Sequence, residues 1–229
     1  MTTFPATWVK FEGPEGSGKT RFLDALRDLP YKRFFFVQDP TCNDSFGDLQ
    51  QMTKADRQAR YQAVAAERHK LMVDEIVPAL QDGKIVLSDQ SIWTSAVLAS
   101  LLPAGDVPFV ELNHSYLQVE ADTLANYPSG TFLFSTPLAE RIERTGATEQ
   151  DWHEQLASVY DETANTQGWK TVDSSNAEPQ MNLVLSLFDL INNEWELDTN
   201  GDDDKTFWKQ ISREFSIPTG NDPSDSVES

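Results

Sequence analysis

The segment Gly13–Thr20, with the sequence GPEGSGKT, constrains the fold of this chain more than any other feature. It satisfies the pattern G-x-x-x-x-G-K-[ST] in full. An apolar β-type run, Trp8–Glu12, leads into it, and a segment with apolar residues at helical spacing, Arg21–Leu29, follows it. A glycine-rich turn between a strand and a helix is the setting in which this pattern binds phosphate. The sequence therefore predicts a phosphate-binding loop, called the P-loop below, rather than a chance glycine-rich turn.

Each residue type of the P-loop has a chemical reason to contact a nucleoside triphosphate and Mg²⁺. The glycines let the backbone wrap closely enough to aim N–H groups at phosphate oxygens, and the start of the following helix adds partial positive charge. Lys19 is expected to reach the β- and γ-phosphates, and the Thr20 hydroxyl to bind Mg²⁺. The residues expected to contact these cofactors are Gly13, Glu15, Gly16, Ser17, Gly18, Lys19 and Thr20.

Strands and helices alternate along most of the chain. The β-type runs are Trp8–Glu12, Arg33–Gln38, Lys84–Ser88, Gly130–Ser135 and Trp169–Asp173. Helices are predicted at Arg21–Leu29, Ala55–Gln81, Asp89–Leu102, Pro108–Asn126, Leu138–Thr145, Glu149–Asn165 and Pro179–Glu194. Asp39–Asp48 is predicted to be a polar connection. This alternation indicates βαβ units and a mainly parallel sheet, with ligands beyond the carboxyl ends of the strands.

The composition changes near residue 198, which predicts a domain boundary there. Residues 1–197 are expected to form the nucleotide-binding domain, and residues 198–229 an acidic C-terminal extension. Within the extension, Asp198–Asp204 has the composition of a linker, and Lys205–Phe215 that of a short amphipathic helix with an aromatic face. Pro218–Ser229 is predicted to be a disordered tail.

The charge of the chain limits its partners. It has 18 basic and 37 acidic side chains, a net charge of −19, so bulk nucleic-acid and anionic-membrane binding are disfavoured. The single cysteine, Cys42, excludes an internal disulfide and is typical of a reducing compartment. The sequence shows no basic and apolar leader and no run of about 18 apolar residues. We therefore expect a soluble, cytoplasmic protein.

A second loop with chemical potential follows the third predicted strand, at Ser88–Ser91 (SDQS). Asp89 in this loop has two interpretations. Its carboxylate is placed near a metal or an acceptor, or it caps the helix that follows. The first interpretation is favoured, because the loop lies at the ligand edge of a parallel sheet.

Three stretches resemble the thymidylate kinase family. FEGPEGSGKT is similar to that family's P-loop, with Glu15 where the family carries an acidic residue. AAERHKLMVDEIVPALQDGKIVLSDQS is similar to its Ala-Ala-x-Arg helix, its Pro-Ala-Leu turn and its strand ending in Asp-Arg, and LFSTPLAERIERTG to its fourth strand and the run into the lid. The resemblance extends from about Trp8 to Phe188. It implies an α/β, doubly wound, three-layer P-loop kinase fold with a central five-stranded parallel sheet. The implied reaction transfers the ATP γ-phosphoryl group to a deoxynucleoside monophosphate, in the first place dTMP.

The resemblance also implies roles for individual residues, and homodimers, which are frequent in the family. Lys19, Asp89 and two arginines on or beside the lid, Arg141 and Arg144, are expected to be catalytic, and Thr20 with Asp89 to hold Mg²⁺. A guanidinium on a mobile loop can neutralise charge on the transferred phosphoryl group; the alternative for both arginines is a solvated helix face. The residues expected to bind the acceptor are Glu15, Asp39, Tyr61, Arg68 and Gln90.

Four departures from the family pattern all fall on the acceptor side. Gln90 stands where the family has the arginine after its third-strand aspartate, and Gln38–Pro40 (QDP) where it has Arg-Glu-Pro. A neutral amide cannot form the bidentate, charge-assisted bonds that an arginine makes to phosphate. The aromatic that stacks on thymine is replaced by Val64, with Tyr61 one turn earlier as a substitute. The polar residue one turn after the third-strand motif is replaced by the apolar pair Leu98–Ala99.

An intact donor half and an altered acceptor half leave three functions open. The first is a deoxynucleoside monophosphate kinase, divergent like a fast-evolving viral or mobile-element enzyme, whose location would be the host cytoplasm. The second is a kinase of a modified base, such as hydroxymethyluracil in viral DNA, and the third a nucleotide-binding protein without kinase activity. A strip of basic residues on one helix would serve the second function, with a solvated helix face as the alternative. These residues are Lys54, Arg57, Arg60, Arg68 and Lys70.

Overall fold

A five-stranded sheet forms the centre of the computed structural model, which describes residues 6–28, 33–43, 46–146 and 150–175. Its strands are β1 (Thr7–Glu12), β2 (Phe34–Gln38), β3 (Ile85–Asp89), β4 (Ser129–Ser135) and β5 (Lys170–Asp173). The strands lie in the order β2-β3-β1-β4-β5, and every pairing is parallel. The predicted α/β architecture with five parallel strands is confirmed.

Helices connect the strands in the predicted alternation. They are α1 (Lys19–Arg27), α2 (Phe46–Gln51), α3 (Lys54–Leu71), α4 (Val77–Gln81), α5 (Ile92–Ser100), α6 (Phe109–Leu124), α7 (Leu138–Thr145) and α8 (Gln150–Gln167). In the part of the chain that the structure describes, no helix has both the length and the apolar character needed to cross a bilayer. The predicted helices Pro179–Glu194 and Lys205–Phe215, and the domain boundary at residue 198, lie outside the described residues.

The predicted polar connection at Asp39–Asp48 contains short helical elements that the sequence did not indicate. The segment contains a 3₁₀ turn, Pro40–Asn43, and the beginning of α2. Asp39 Oδ1 accepts hydrogen bonds from the backbone N–H of Thr41 at 3.0 Å and from its hydroxyl at 2.5 Å. An aspartate that bonds the backbone two residues on stabilises a turn in place of extended chain.

The long helix predicted at Ala55–Gln81 is continuous but not uniform. A π-helical turn, Met72–Ile76, separates α3 from α4. Pro78 lies two residues after it. A proline has no N–H to donate to residue 74 and crowds that residue's carbonyl. A single π turn relieves this conflict without ending the helix.

Helices cover both faces of the sheet. On one face Phe11 of β1 packs against Phe22 of α1 and Phe134 of β4, with ring centroids 5.6 and 6.0 Å away. On the other face Trp8 packs in a cluster that includes Met72 and Tyr116, because residues an odd number apart in a strand point to opposite faces. The three-layer, doubly wound arrangement is therefore confirmed.

Candidate active site

The P-loop lies between the carboxyl end of β1 and the start of α1, as predicted. Two of its glycines are required by close contacts. Gly13 has a φ of +139°, and a Cβ there would lie 2.5 Å from the carbonyl oxygen of Phe134. Gly16 has a φ of +76°, and a Cβ there would lie 2.9 Å from Thr145 Cγ2. Residues with a side chain rarely adopt these backbone angles, so the glycines are what bring the loop against β4 and α7.

The ammonium group of Lys19 lies within the P-loop. Its Nζ donates to the carbonyl oxygens of Gly13 at 2.5 Å and Pro14 at 3.2 Å, and to Ser17 Oγ at 3.2 Å. The residue is buried although it is the first of α1. A cation held at this place faces the phosphates of any nucleotide that the loop binds.

The two predicted metal ligands are in contact. Thr20 Oγ1 donates to Asp89 Oδ2 at 3.1 Å, which joins the start of α1 to the carboxyl end of β3. A hydroxyl and a carboxylate are hard oxygen ligands that fit Mg²⁺. The capping interpretation of Asp89 is wrong, because Ser91 caps α5 and its side chain accepts a hydrogen bond from Trp93 N at 3.3 Å.

Arg68 and Asp39 form a buried, bidentate ion pair beside this edge of the sheet. Arg68 Nε donates to Asp39 Oδ2 at 2.7 Å and Nη2 to Oδ1 at 2.8 Å. The guanidinium also donates to Asn113 Oδ1 at 2.9 Å and Ser95 Oγ at 2.7 Å. Burial lowers the pKa of Arg68, but its hydrogen bonds to Asp39 and the charge of that carboxylate raise it above the ordinary value. The guanidinium is therefore charged and held rigidly.

A small cavity adjoins this pair. Its volume is about 10 Å³, comparable to one water molecule, and Asp39, Arg68, Gln90 and Tyr116 contribute to its wall. Gln90 has a φ of +65°, which is uncommon for a residue other than glycine. Its Oε1 is buried and has no hydrogen-bond partner among the described residues. Strained backbone at a ligand edge, with an unsatisfied amide oxygen, indicates a functional position.

Three polar residues close to Arg68 were not predicted from the sequence. Ser95 and Asn113 accept hydrogen bonds from its guanidinium, and Tyr116 contributes to the cavity wall. A signal for two of them was present. The buried residues of α6 are Asn113, Tyr116, Glu120 and Thr123, so the buried face of this helix is polar at helical spacing. Burial raises the pKa of Tyr116 well above its ordinary value, and the nearby charges of Glu120 and Asp39 raise it further. Tyr116 is therefore a neutral hydrogen-bonding group.

Glu12, at the end of β1, is a further residue that the sequence did not single out. It is fully buried and accepts hydrogen bonds from Ser91 Oγ at 2.5 Å and Thr94 Oγ1 at 2.7 Å. Burial raises its pKa from 4.5 to about 7, against the lowering effect of these hydroxyls and of the Lys19 charge. Glu12 thus links the P-loop to the beginning of α5.

The two predicted lid arginines have different surroundings. Arg144 is partly exposed beside the P-loop, where it donates to the carbonyl oxygen of Gly16 at 3.0 Å and to Glu140 at 2.8 Å. Arg141 is buried and donates to the carbonyl oxygens of Thr136 and His153, both at 3.3 Å. Burial lowers the pKa of Arg141. The solvated helix face is therefore wrong for Arg141, because its guanidinium bonds main-chain carbonyls in the interior. Its place beside the lid stays a prediction.

Two of the predicted acceptor-binding residues are not brought to the cavity. Tyr61, the substitute for the stacking aromatic, is buried in an apolar cluster with Leu49, Val97 and Leu102, and it is not part of the cavity wall. Glu15 is exposed at the tip of the P-loop. The structure thus places Asp39, Arg68 and Gln90 together, and Tyr61 apart from them.

Two arginines of the predicted basic strip on α3 do not lie at its surface. Arg57 is buried and forms an ion pair with Asp106, and Arg57 Nη1 also donates to the carbonyl oxygen of Leu49 at 3.2 Å. Arg68 is buried against Asp39. Both the nucleic-acid strip and the solvated face are therefore wrong for these two arginines, because each is neutralised by an interior carboxylate.

The P-loop follows the first strand of a parallel sheet, and the Asp89 carboxylate of the adjacent strand contacts the P-loop residue Thr20. This arrangement defines a P-loop kinase of the doubly wound α/β class. Comparison with known proteins specifies the family. Residues 11–182 match the family model described as thymidylate kinase. The chain is 24% identical to a thymidylate kinase of Ligilactobacillus salivarius, over 79% of this chain and 96% of that protein. It is 31% identical to a probable thymidylate kinase of Halorubrum lacusprofundi, over 66% of this chain and 78% of that protein.

The chain therefore belongs to the thymidylate kinase family and is an ATP-dependent nucleoside monophosphate kinase. The predicted resemblance and enzyme class are confirmed.

Proposed function

We propose that this enzyme transfers the γ-phosphoryl group of ATP to a pyrimidine deoxynucleoside monophosphate, with dTMP as the preferred acceptor. The observation that supports this most is a convergence at one edge of the sheet. The ammonium of Lys19, the Thr20–Asp89 contact and the guanidinium of Arg144 all lie at the P-loop. The cavity with Asp39 and Arg68 lies beside the same β3 loop.

On the ATP side of the site, the residues are placed to neutralise the charge of the triphosphate. The P-loop and Lys19 would hold the phosphates, and Thr20 with Asp89 would hold Mg²⁺, which neutralises charge between the β- and γ-phosphates when bound. An oxygen of the acceptor phosphate attacks the γ-phosphorus, the bond to the β-phosphate oxygen breaks, and ADP leaves. Arg144 is placed to neutralise charge on the phosphoryl group in transfer. No covalent enzyme intermediate is required, since orientation and charge neutralisation carry the reaction.

The acceptor side supports recognition through the base more than through the phosphate. Arg68 contributes to the cavity wall and donates four of its five N–H groups to Asp39, Asn113 and Ser95. These bonds hold the guanidinium rigidly and leave one N–H of Nη1 as a donor for a ligand. A pyrimidine carbonyl is a suitable acceptor for such a donor. The neutral amides of Gln38 and Gln90 give the acceptor phosphate weaker contacts than arginines would, so we expect a high KM for the acceptor.

A kinase of a modified base is the second candidate. The absence of arginine at positions 38 and 90 favours it, since an acceptor hydroxyl on a base requires no clamp for a free 5′-phosphate. The burial of Arg57 and Arg68 in ion pairs weakens it, because these residues cannot contact a DNA backbone. A nucleotide-binding protein without catalysis is less well supported, given the family assignment.

The test is ADP release in a coupled assay across the deoxynucleoside monophosphates, with product identified by mass. We expect turnover with dTMP above that with the purine monophosphates, and loss of turnover in Lys19→Met. In parallel, labelled ATP is offered to hydroxymethyluracil-containing DNA. Transfer to that DNA and not to dTMP would favour the second candidate. A folded, ATP-binding protein that turns over none of the monophosphates would contradict the first.

Two expectations about the whole protein are kept as proposals. We propose a cytoplasmic location and a homodimer formed through the long helices. Light scattering on the full chain at several concentrations measures the mass directly, and a monomer mass throughout would exclude the dimer.

A further inference from the structure

The carbonyl oxygen of Ser17 in the P-loop is bonded by two hydroxyls from distant parts of the chain. Ser174 Oγ donates to it at 2.5 Å and Thr136 Oγ1 at 3.2 Å. The two hydroxyls also contact each other. Ser17, Thr136 and Ser174 are all buried. Each hydroxyl carries one proton, and Ser174 Oγ also lies 3.1 Å from the carbonyl oxygen of Ser135. Two hydroxyls within reach of the Ser17 carbonyl allow one of them to donate to it while the other bonds a different acceptor.

These hydroxyls come from the carboxyl ends of two strands. Thr136 directly follows β4 and Ser174 directly follows β5, where its backbone N–H also donates to the carbonyl oxygen of Ser135 at 2.9 Å. The contact therefore fixes one P-loop peptide to the rigid end of the sheet rather than to another loop. At the far end of α7, Arg144 holds the neighbouring carbonyl of Gly16, so consecutive peptides of the P-loop are both bonded.

The orientation of a peptide carbonyl determines the direction of the next N–H. A trans peptide is planar, with its C=O and N–H pointing in opposite directions. The Ser17 carbonyl points to buried hydroxyls in the interior, so the Gly18 N–H points away from the interior. Phosphate-binding loops work by presenting such N–H groups on their outer, concave side.

We propose that Thr136 and Ser174 are positioning residues for the triphosphate: by holding the Ser17 carbonyl inward, they preset the Gly18 N–H toward an anionic phosphate oxygen. Without them the Ser17 carbonyl would be buried and unsatisfied, a cost that a peptide rotation could relieve. Such a rotation would turn the Gly18 N–H away from the phosphate. A preset donor costs no reorganisation when the ligand binds. The inference rests on the ATP-binding part of the proposed function and not on the identity of the acceptor.

The test uses the full chain and calorimetric binding of two probes, Mg²⁺-ATP and inorganic tripolyphosphate. The variants are Thr136→Val, which keeps the shape, Ser174→Ala, and the double variant. Thr136→Ser and Ser174→Thr keep the hydroxyls. Ser100→Ala is the matched control, because Ser100 Oγ also donates to a backbone carbonyl, that of Val97, at 2.7 Å.

We expect the double variant to bind ATP and tripolyphosphate at least tenfold more weakly, by similar factors, with the KM for the acceptor unchanged. The hydroxyl-keeping variants and Ser100→Ala should bind like wild type. Unchanged affinity in the double variant, or an equal loss in the hydroxyl-keeping variants, would overturn the proposal.

A second measurement covers the case in which the double variant does not fold. The amide signal of Gly18 in wild type should shift on addition of Mg²⁺-ADP, and in Ser174→Ala this shift should be smaller by half or more. An equal shift in both proteins would overturn the proposal. If wild type binds tripolyphosphate but does not phosphorylate dTMP, the proposed acceptor fails and this inference stands. If wild type binds neither probe, this inference fails whatever the acceptor.

Discussion

Glu12 differs in chemical state from a free side chain. Its carboxyl lies in the interior on the hydroxyls of Ser91 and Thr94, and its pKa is raised from 4.5 to about 7. Between these two pH values the folded chain binds a proton that the unfolded chain has released. Stability therefore falls as pH rises through this window, and the full cost is present above pH 7.

The Glu12→Gln variant should remove this pH dependence. A pKa rise from 4.5 to about 7 corresponds to about 3 kcal/mol. We expect the gain in unfolding free energy of Glu12→Gln over wild type to be small at pH 5 and to approach this value at pH 8. Urea denaturation across this range measures it, with the exposed Glu67→Gln as control. A gain that does not change with pH would contradict the assignment.

Asp89 supports a prediction about metal dependence. Its Oδ2 accepts a hydrogen bond from Thr20 Oγ1 at 3.1 Å, and we expect both oxygens to be ligands of Mg²⁺. Asp89→Asn should raise the Mg²⁺ concentration for half-maximal activity by at least about 10-fold, the smallest loss typical even of partners that only orient a ligand, because an amide is a weaker ligand than a carboxylate. Titration of Mg²⁺ at fixed ATP measures the effect. The exposed Asp82→Asn should match wild type, and an unchanged Mg²⁺ requirement in Asp89→Asn would exclude Asp89 as a ligand.

At the scale of elements, the sequence predicts the donor half of the site far better than the acceptor half. The P-loop is one continuous segment, so its glycines and Lys19 are recognisable from local spacing. Arg68 depends on Asp39, 29 residues away, and on Asn113, 45 residues away, and no local pattern encodes such contacts. Tyr61 is an aromatic residue one turn before Val64, the position of the family's stacking aromatic, but its side chain lies in an apolar cluster.

The loop after β3 makes the departure from the family testable. Gln90 replaces an arginine at a backbone position with a φ of +65°, which glutamine and arginine tolerate equally. If the acceptor is a monophosphate, Gln90→Arg should lower its KM by about 10- to 100-fold, the value of charged hydrogen bonds of about 1.5–3 kcal/mol. The KM for ATP should not change.

Steady-state kinetics of Gln90→Arg with dTMP measure this effect, and Gln81→Arg at the exposed end of α4 controls for the added charge. An unchanged or higher KM for dTMP in Gln90→Arg, with the control like wild type, would count against a phosphate monoester as the natural acceptor.

The ion pair between Arg57 of α3 and Asp106, in the loop between α5 and α6, supports a prediction about stability. Both side chains are almost fully buried, whereas Lys54, which lies 3.7 Å from Asp106, is exposed. Removing one partner of a buried pair leaves an unpaired charge, so Asp106→Ala should cost about 3–5 kcal/mol. Lys54→Ala should cost about 1 kcal/mol or less. Chemical denaturation of both variants gives the comparison, and equal costs would contradict the difference in burial.

At the scale of the whole molecule, the net charge of −19 acts against folding. Like charges repel more strongly in the compact state than in the unfolded chain. Salt screens this repulsion, since the Debye length falls from about 10 Å at 0.1 M to about 3 Å at 1 M. We therefore expect the Tm to rise by several degrees between 0.05 and 1 M KCl.

Charge-reversal variants separate this effect from a general salt effect on the protein. Glu67, Asp74 and Glu75 are exposed on one continuous helical stretch, and changing all three to lysine alters the net charge from −19 to −13. The variant should have a higher Tm at 0.05 M KCl and a smaller rise with salt than wild type, as measured by thermal denaturation. A Tm that falls with salt in wild type, or an identical rise in both proteins, would show that self-repulsion does not limit the stability of this kinase.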